Sequence, residues 1–314
     1  MDKFIIIPDS SSDFTAPLRE RFNVPDVLLG VVYFPDGHAE PADLDFERMS
    51  AEEYYNSMKG RKVLYKTSNA PVSEIESKFE KHLAAGKDVL SISLSSGLSG
   101  TYQATLMVAE ELRKKYPERK IICVDSLRYS TALSKLIVMA CQKRDEGATI
   151  EETAAFIEEK KHCIHQIGPM DDLFFLVKTG RISNFKAFFG TLAGVNPMAD
   201  FNREGMSQVL VKFKGKKAAF DACIKYIQAT IVEPEKQLIF VAHSNRKAQA
   251  EILAERIRQE IKPAEIIIND VGISCGATIG PGLCAAFYEG RPVSEGLKEE
   301  QAIMDAIAAE LKSK

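Results

Sequence analysis

Short apolar runs alternate with longer stretches of helical periodicity through the first half of the chain, and this alternation constrains the fold more than any other feature. FIIIPDS opens the series, and VLLGVVYF, KDVLSISL and KIICVDS follow. Amphipathic spacing fills residues 46–59, 73–85, 101–115 and 130–144 between them. Strand and helix in strict turn predict an α/β fold with a mainly parallel sheet. Two of the strands end in Asp-Ser, at Asp9-Ser10 and Asp125-Ser126. The carboxyl ends of such strands form the rim where ligands bind, so these polar pairs are site candidates. Asp and Ser are equally the residues that cap a following helix.

A length of 314 residues suits two domains. In GATIEETAAFIEEKKHC, Thr149 and Glu152 stand at capping-box spacing, which marks a helix start and a place to cross between domains. We therefore expect an N-terminal α/β domain over residues 1–160 and a C-terminal α/β domain over 161–314. The second half has its own texture. LFFLVKTGRISNFKAFFGTLAGVNPM is rich in Phe and Leu, and NREG makes a turn between the β-like runs NPMADF and SQVLVKF. QLIFVAHSN reads as a strand, and SEGLKEEQAIMDAIAAELKSK as a terminal helix with a charged face.

Basic and acidic residues nearly cancel, 41 against 44, so no broad positive field argues for a nucleic-acid backbone. No apolar stretch approaches the roughly 20 residues of a membrane span, and we expect a cytoplasmic globular protein without stable membrane insertion. The cysteines Cys123, Cys141, Cys163, Cys223, Cys275 and Cys284 form no CxxC pair and read as buried thiols.

Chemistry-bearing residues gather in SISLSSGLSGTYQAT. There the strand ends near Leu94, Ser95-Ser96-Gly97 turns, and a helix begins near Ser99 or Thr101. Backbone N–H groups of such a turn, with the hydroxyls beside them, suit a carboxylate or phosphate, although an ordinary capped turn uses the same letters. A nucleophile elbow requires GxSxG, and Gly97-Leu98-Ser99-Gly100 brings the second glycine one residue early. Of five histidines only His243 stands at a strand rim, where a structural role is the commoner one. His162 and His165 frame Cys163, but no second ligand pair at a recognised spacing supports a metal site. Neither a P-loop nor a GxGxxG turn is present.

Two stretches echo the serine turn. YKTSNAPVSE sets Thr67 and Ser68 between a short β-like run and a helix, and CGATIGPGLCAAF sets Thr278 before Gly280-Pro281-Gly282. Several hydroxyl-bearing turns without base, nucleophile or metal set favour binding over catalysis. In FKAFFGTLAGV, Phe185, Phe188, Phe189 and Leu192 follow helical spacing. That pattern usually means core, but over a cavity it would suit an alkyl chain, each buried methylene contributing about 0.8 kcal/mol.

Taken together, IIIPDSSSDF, KTSNAP, SLSSGLSGTYQA, VDSLRYSTA, LVKTGRISNFKAFFGTL, VKFKGKKAAF and GATIGPGLCAAFY resemble the DegV family of bacterial fatty-acid-binding proteins, nearly end to end. The resemblance implies two α/β domains, an acyl chain in a tunnel of the C-terminal domain, and a carboxylate held by hydroxyls at the domain junction. It also implies, for some members, a separate fatty acid kinase subunit that receives the bound acid and makes an acyl phosphate. Carried over motif by motif, Thr67 and Ser68 match the TSQPS-like loop, Ser95 and Ser96 the SSxLSGTYQ turn, and Arg181 the GRIS motif, with Ser10 of DSSSD a further candidate. The chain departs from the family in three places. Thr278 stands where a histidine commonly precedes GPG, the loop at 67–71 reads TSNAP, and an RxRK-like segment reads Lys214-Gly215-Lys216-Lys217. Lysine lacks the bidentate fork of arginine, which bears on kinase docking.

The sequence thus points to a non-catalytic carrier of a long-chain fatty acid, with the acid as ligand and no other cofactor. The alternatives are a serine-dependent acyl or ester hydrolase using Ser95, Ser96 or Ser99 with His243, and a binding module for another amphiphile.

Overall fold

Whether each apolar run joins the sheet that its neighbours build is decided by tertiary contacts, and most of the first-half runs do. The computed structural model describes residues 4–171, 173–183 and 195–313. They form two compact units. The first comprises residues 1–48, 64–161 and 272–275, and the second 49–63, 162–271 and 276–314.

The first unit contains strands β1 (Phe4–Pro8), β2 (Val31–Tyr33), β3 (Ala39–Pro41), β4 (Lys66–Ser68), β5 (Asp88–Ser93) and β6 (Ile121–Asp125). Strands β1, β5 and β6 form a parallel sheet in the order β1-β5-β6, with Ile6 opposite Leu90 and Leu90 opposite Ile122. The strands are nearly continuous apolar runs because both faces are covered. On one face Ile5, Ile7, Val89 and Ile121 meet Ile75 and Phe79 of the helix Val72–Ala84 and Ala104 and Val108 of the helix Thr101–Lys115. Ile7, Phe79 and Val89 are completely buried, and full burial of such a side chain contributes roughly 1.5–3 kcal/mol. The helices Thr131–Asp145 and Ile150–Lys160 pack on the same sheet. The second of these starts in the capping box expected of Thr149 and Glu152.

VLLGVVYF departs from the expectation of a further strand in that sheet. Leu28 makes a single parallel bridge to Asp9, and beyond Gly30 the chain turns away into a small antiparallel sheet of order β3-β2-β4. Gly30 permits this, since a Cβ there would lie 2.5 Å from the Ser68 carbonyl oxygen. The helix expected over residues 46–59 is shorter, Ala51–Met58, because Ser50 and Glu53 close a capping box that sets its start.

The second unit contains β7 (Ile164–Ile167), β8 (Ile182–Ser183), β9 (Val195–Phe201), β10 (Ser207–Lys214), β11 (Leu238–His243), β12 (Glu265–Asp270) and β13 (Cys284–Glu289). NPMADF and SQVLVKF pair antiparallel across NREG as expected, with a register shift between Val209 and Val211. A four-stranded mixed sheet runs β12-β11-β13-β7, parallel only between β11 and β12. Ile239, Val241 and Ala286 of this sheet share a core with Ile224 and Ile227 of the helix Lys216–Thr230, Leu253 and Ile257 of Lys247–Glu260, and Met304 of Lys298–Lys312.

Candidate functional site

The loops at the carboxyl ends of β1, β5 and β6 are built around carboxylates. Asp9 caps the turn at Ser10–Ser12 by accepting the Ser11 N–H at 2.8 Å, and its other oxygen accepts the Leu94 N–H at 2.7 Å. The loop after β1 is thereby fastened to the loop after β5. Asp125 accepts the N–H groups of Ser96 and Leu127, each at 3.1 Å, and so holds the serine turn against the end of β6. Asp13, in the left-handed conformation, accepts the hydroxyls of Ser130 and Thr131 and the Gly272 N–H at 2.8 Å. Asp9 therefore does cap, whereas Asp125 caps no helix, since the helix Thr131–Asp145 starts at Ser130 without a side-chain cap; both carboxylates position the rim. Burial pushes the Asp9 carboxyl above its ordinary value, against the opposing pull of its N–H donors.

This frame spends some hydroxyls and leaves others. Ser10 is buried; its Oγ accepts the Gly30 N–H at 3.0 Å and lies 3.1 Å from the Ser274 Oγ. Ser99 and Thr101 are hydrogen-bonded to each other at 2.9 Å. Ser95 differs. It is fully buried, its N–H donates to the Arg128 carbonyl at 2.9 Å, and its Oγ accepts the Gly97 N–H at 3.2 Å. The hydroxyl hydrogen of Ser95 has no acceptor among the described residues, so it remains to be donated. Thr67 lies half-buried on β4 opposite Val32, with Ser68 exposed beside it, and Ser96 is exposed.

The structure brings Ser10 together with Ser68, since both the Ser10 Oγ and the Ser68 carbonyl crowd Gly30. Through Asp9 it joins the Ser10 loop to the turn that carries Ser95 and Ser96. Sequence reasoning missed Asp13 and Arg128. Arg128 is completely buried, with its backbone bound to the Ser126 hydroxyl in both directions. An arginine inside VDSLRYSTA gave no periodic cue, whereas the second Asp of DSSSD was a usable one.

The remaining candidates belong to the second unit. Arg181 is half-buried and folds back, its guanidinium on the Thr179 carbonyl at the end of the helix Phe174–Thr179. Thr278 is half-buried in the short helix Ile273–Ile279, followed by Gly280 and Gly282 at positive φ. Phe185, Phe188, Phe189 and Leu192, the expected alkyl-lining residues, lie outside the described residues. His243 is buried at the end of β11, 3.1 Å from Asp270, and burial lowers its pKa while Asp270 pulls the other way. His165 takes a structural place: its Nδ1 lies 2.5 Å from Asp200 and its Nε2 2.8 Å from the Arg291 carbonyl. Among the described residues no group of His, Cys, Asp and Glu is placed to hold a metal ion, and no helix is long and apolar enough to cross a membrane.

The fold is that of a mixed α/β protein whose parallel sheet carries a hydroxyl-lined rim at its carboxyl ends. The chain matches the DegV family, described as "Uncharacterised protein, DegV family", over residues 3–291 and belongs to it. A DegV domain-containing protein of Clostridium perfringens is 31% identical over 290 residues, covering 92% of this chain and 98% of the relative. One from Streptococcus pyogenes is 28% identical over 288 residues, with the same shares covered. Among solved structures, a DegV lipid binding protein from Thermotoga maritima superposes with a TM-score of 0.80 at 25% identity, covering 92% of this chain and 99% of that one. A DegV family protein from Thermus thermophilus gives a TM-score of 0.81 at 23% identity, covering 91% and 99%, which shows the shared fold.

Proposed function

We propose that the protein binds a long-chain fatty acid, takes its carboxylate on the hydroxyls of Thr67 and Ser95, and presents it to a partner kinase for phosphorylation. The observation that carries this reading is the Ser95 hydroxyl, fully buried at a strand rim and held by Gly97, with its own hydrogen unspent among the described residues. A buried donor of this kind calls for an acceptor, and a carboxylate oxygen is a strong one. The lipid-binding relative from Thermotoga maritima, alike across nearly the whole chain, supports a lipid as the owner of that carboxylate.

Neutral hydroxyls suit a carrier. They bind a carboxylate without neutralising it, so its oxygen keeps the electron pair with which to attack a phosphoryl group supplied by the kinase. A hydrolase would instead need a base on one of the serines. The histidines of the first unit are His38, 2.5 Å from Asp36, and His82, 2.6 Å from Asp26. Within this unit neither is hydrogen-bonded to Ser95, Ser96 or Ser99.

Native mass spectrometry of protein purified from bacteria should show a bound acid of roughly C14–C18 length, as an enclosed alkyl pocket of ordinary volume would hold. A consistently empty protein that takes up no fatty acid after delipidation would refute the proposal. Labelling of a serine by a fluorophosphonate probe would point to the hydrolase instead.

A further inference from the structure

We infer that β12 is an interface between two copies of this chain, which join edge to edge across a two-fold axis into one continuous sheet. Within the second unit β12 stands at the end of the order β12-β11-β13-β7, paired on one side only among the described residues. The Glu265 N–H donates to the Gln237 carbonyl and the Val271 N–H to the His243 carbonyl, so the odd-numbered residues of the strand turn their backbone groups toward β11. The backbone groups of Ile266, Ile268 and Asp270 point the other way, and among the described residues no hydrogen bond meets them. Such an edge is a template for another strand, and folded proteins blunt it with lysine, proline or a bulge. β12 reads Glu-Ile-Ile-Ile-Asn-Asp in unbroken register with β11 and has none of these. Ile266 and Ile267 are half-buried, and Ile268 is 37% exposed.

The direction of these backbone groups restricts how a second strand can join. Antiparallel strands exchange hydrogen bonds between residues that both point at the partner, here the even-numbered ones. Setting Ile266 opposite Ile268 of the second copy meets this condition and places Ile267 on the axis, facing its own counterpart. All three isoleucines then lie against isoleucines, and β-branched pairs of this kind favour a sheet. Glu265 falls opposite Asn269, so no like charges oppose each other. The register that would set Glu265 against Asp270 pairs an inward residue with an outward one and cannot form.

Charge identifies the partner as a second copy. The helix Lys247–Glu260 buries Ala250, Leu253, Ala254 and Ile257 in the core beneath it. On one flank of that stripe Arg256 pairs with Asp221 of the helix Lys216–Thr230. The latter helix lies toward β7, at the far end of the sheet, where its Cys223 donates to the Ile167 carbonyl. The opposite flank of Lys247–Glu260 therefore looks over the open edge of β12. At 3.6 residues per turn that flank carries Glu251 and Arg258, both exposed, one toward each end of the helix. The two-fold axis sets the two copies of the helix antiparallel, so Glu251 of each meets Arg258 of the other. Arg258 is paired locally with Glu255, and a guanidinium has donors enough for a second carboxylate.

The test is sedimentation equilibrium of the full-length protein up to about 100 μM, where a monomer–dimer equilibrium is expected. Ile268→Lys sets a charge on the exposed edge, and Arg258→Glu sets an acid against Glu251. Each should raise the dimer dissociation constant about tenfold or more. Combining Arg258→Glu with Glu251→Arg reverses both charges and should restore the wild-type constant. Ile267→Cys should cross-link into a covalent dimer under mild oxidation, because side chains approach most closely at a non-hydrogen-bonded antiparallel position. Ala264→Cys, which falls opposite Asp270, should not. A protein that stays monomeric throughout would overturn the inference and leave the edge to an extended segment of another partner. So would a dimer that Ile268→Lys leaves intact, or a loss in Arg258→Glu that the charge reversal does not restore.

Discussion

The Asp9 carboxylate at the end of β1 accepts the backbone N–H of Leu94 at 2.7 Å, across 85 residues of sequence, and so fixes where the Ser95 turn begins. Its second oxygen holds the Ser11 N–H. Asp9→Ala would leave the buried Leu94 N–H without this acceptor, at a cost of about 1–3 kcal/mol, and would release the half-buried Ser11 N–H as well. Urea unfolding should register that loss.

The same carboxyl makes a pH prediction. Burial raises the folded-state pKa of Asp9 above its ordinary value, which is near 4 in an unfolded chain. The folded state then holds the proton more tightly than the unfolded one. Its stabilising contribution is fully present below about pH 4 and is lost as pH rises through the folded value. The stability of the wild type relative to Asp9→Asn should therefore fall as pH rises above about 4, as followed by chemical denaturation at each pH. A flat or rising difference would contradict the assignment.

Thr67→Ala and Ser95→Ala should each weaken fatty-acid binding to the delipidated protein. Removal of a hydrogen bond to a charged group costs about 1.5–3 kcal/mol, a factor of roughly ten to a hundred in affinity. Calorimetric titration of both variants checks this. Unchanged affinity in both would move the carboxylate elsewhere.

At Gly30 a methyl group would meet the Ser68 carbonyl at 2.5 Å and the Ser10 Oγ at 3.2 Å. Gly30→Ala should force β2 and β4 apart and cost about 1–3 kcal/mol, as overpacking does. Because Thr67 rides on β4, affinity for the acid should drop together with the melting temperature.

In the second unit, Asp200 is buried and accepts from the N–H groups of Gln166 and Phe201, the Tyr226 hydroxyl at 2.8 Å and the His165 ring. The ring lies between the Asp200 carboxylate and the Arg291 carbonyl. Removing the carboxylate would leave the Gln166 and Phe201 N–H groups and the Tyr226 hydroxyl without this acceptor, at a cost of about 1–3 kcal/mol for each group left unsatisfied. Asp200→Ala should show a loss of that size in denaturant unfolding.

Much of the secondary structure was legible because its causes are local. Helix Thr101–Lys115 has the limits that its apolar spacing sets, and Thr149 with Glu152 caps the helix Ile150–Lys160 as the pattern requires. The parallel strands FIIIP, DVLSIS and IICVD could be read from their apolar runs. At the candidate site the sequence displayed the hydroxyls of Ser10, Thr67, Ser95 and Ser96 but could not tell a spent one from an available one.

That distinction belongs to the tertiary structure. Ser10 is engaged because Gly30 and Ser274 come to it from distant parts of the chain, and Ser95 keeps its hydrogen because, among the described residues, its neighbours in space offer it only a donor. VVY left the main sheet because a carbonyl from β4 fits over Gly30. Periodicity and capping act within a few residues and are written in the order of the letters. Hydrogen-bond satisfaction and steric fit depend on which distant segments meet, and only the folded chain decides that.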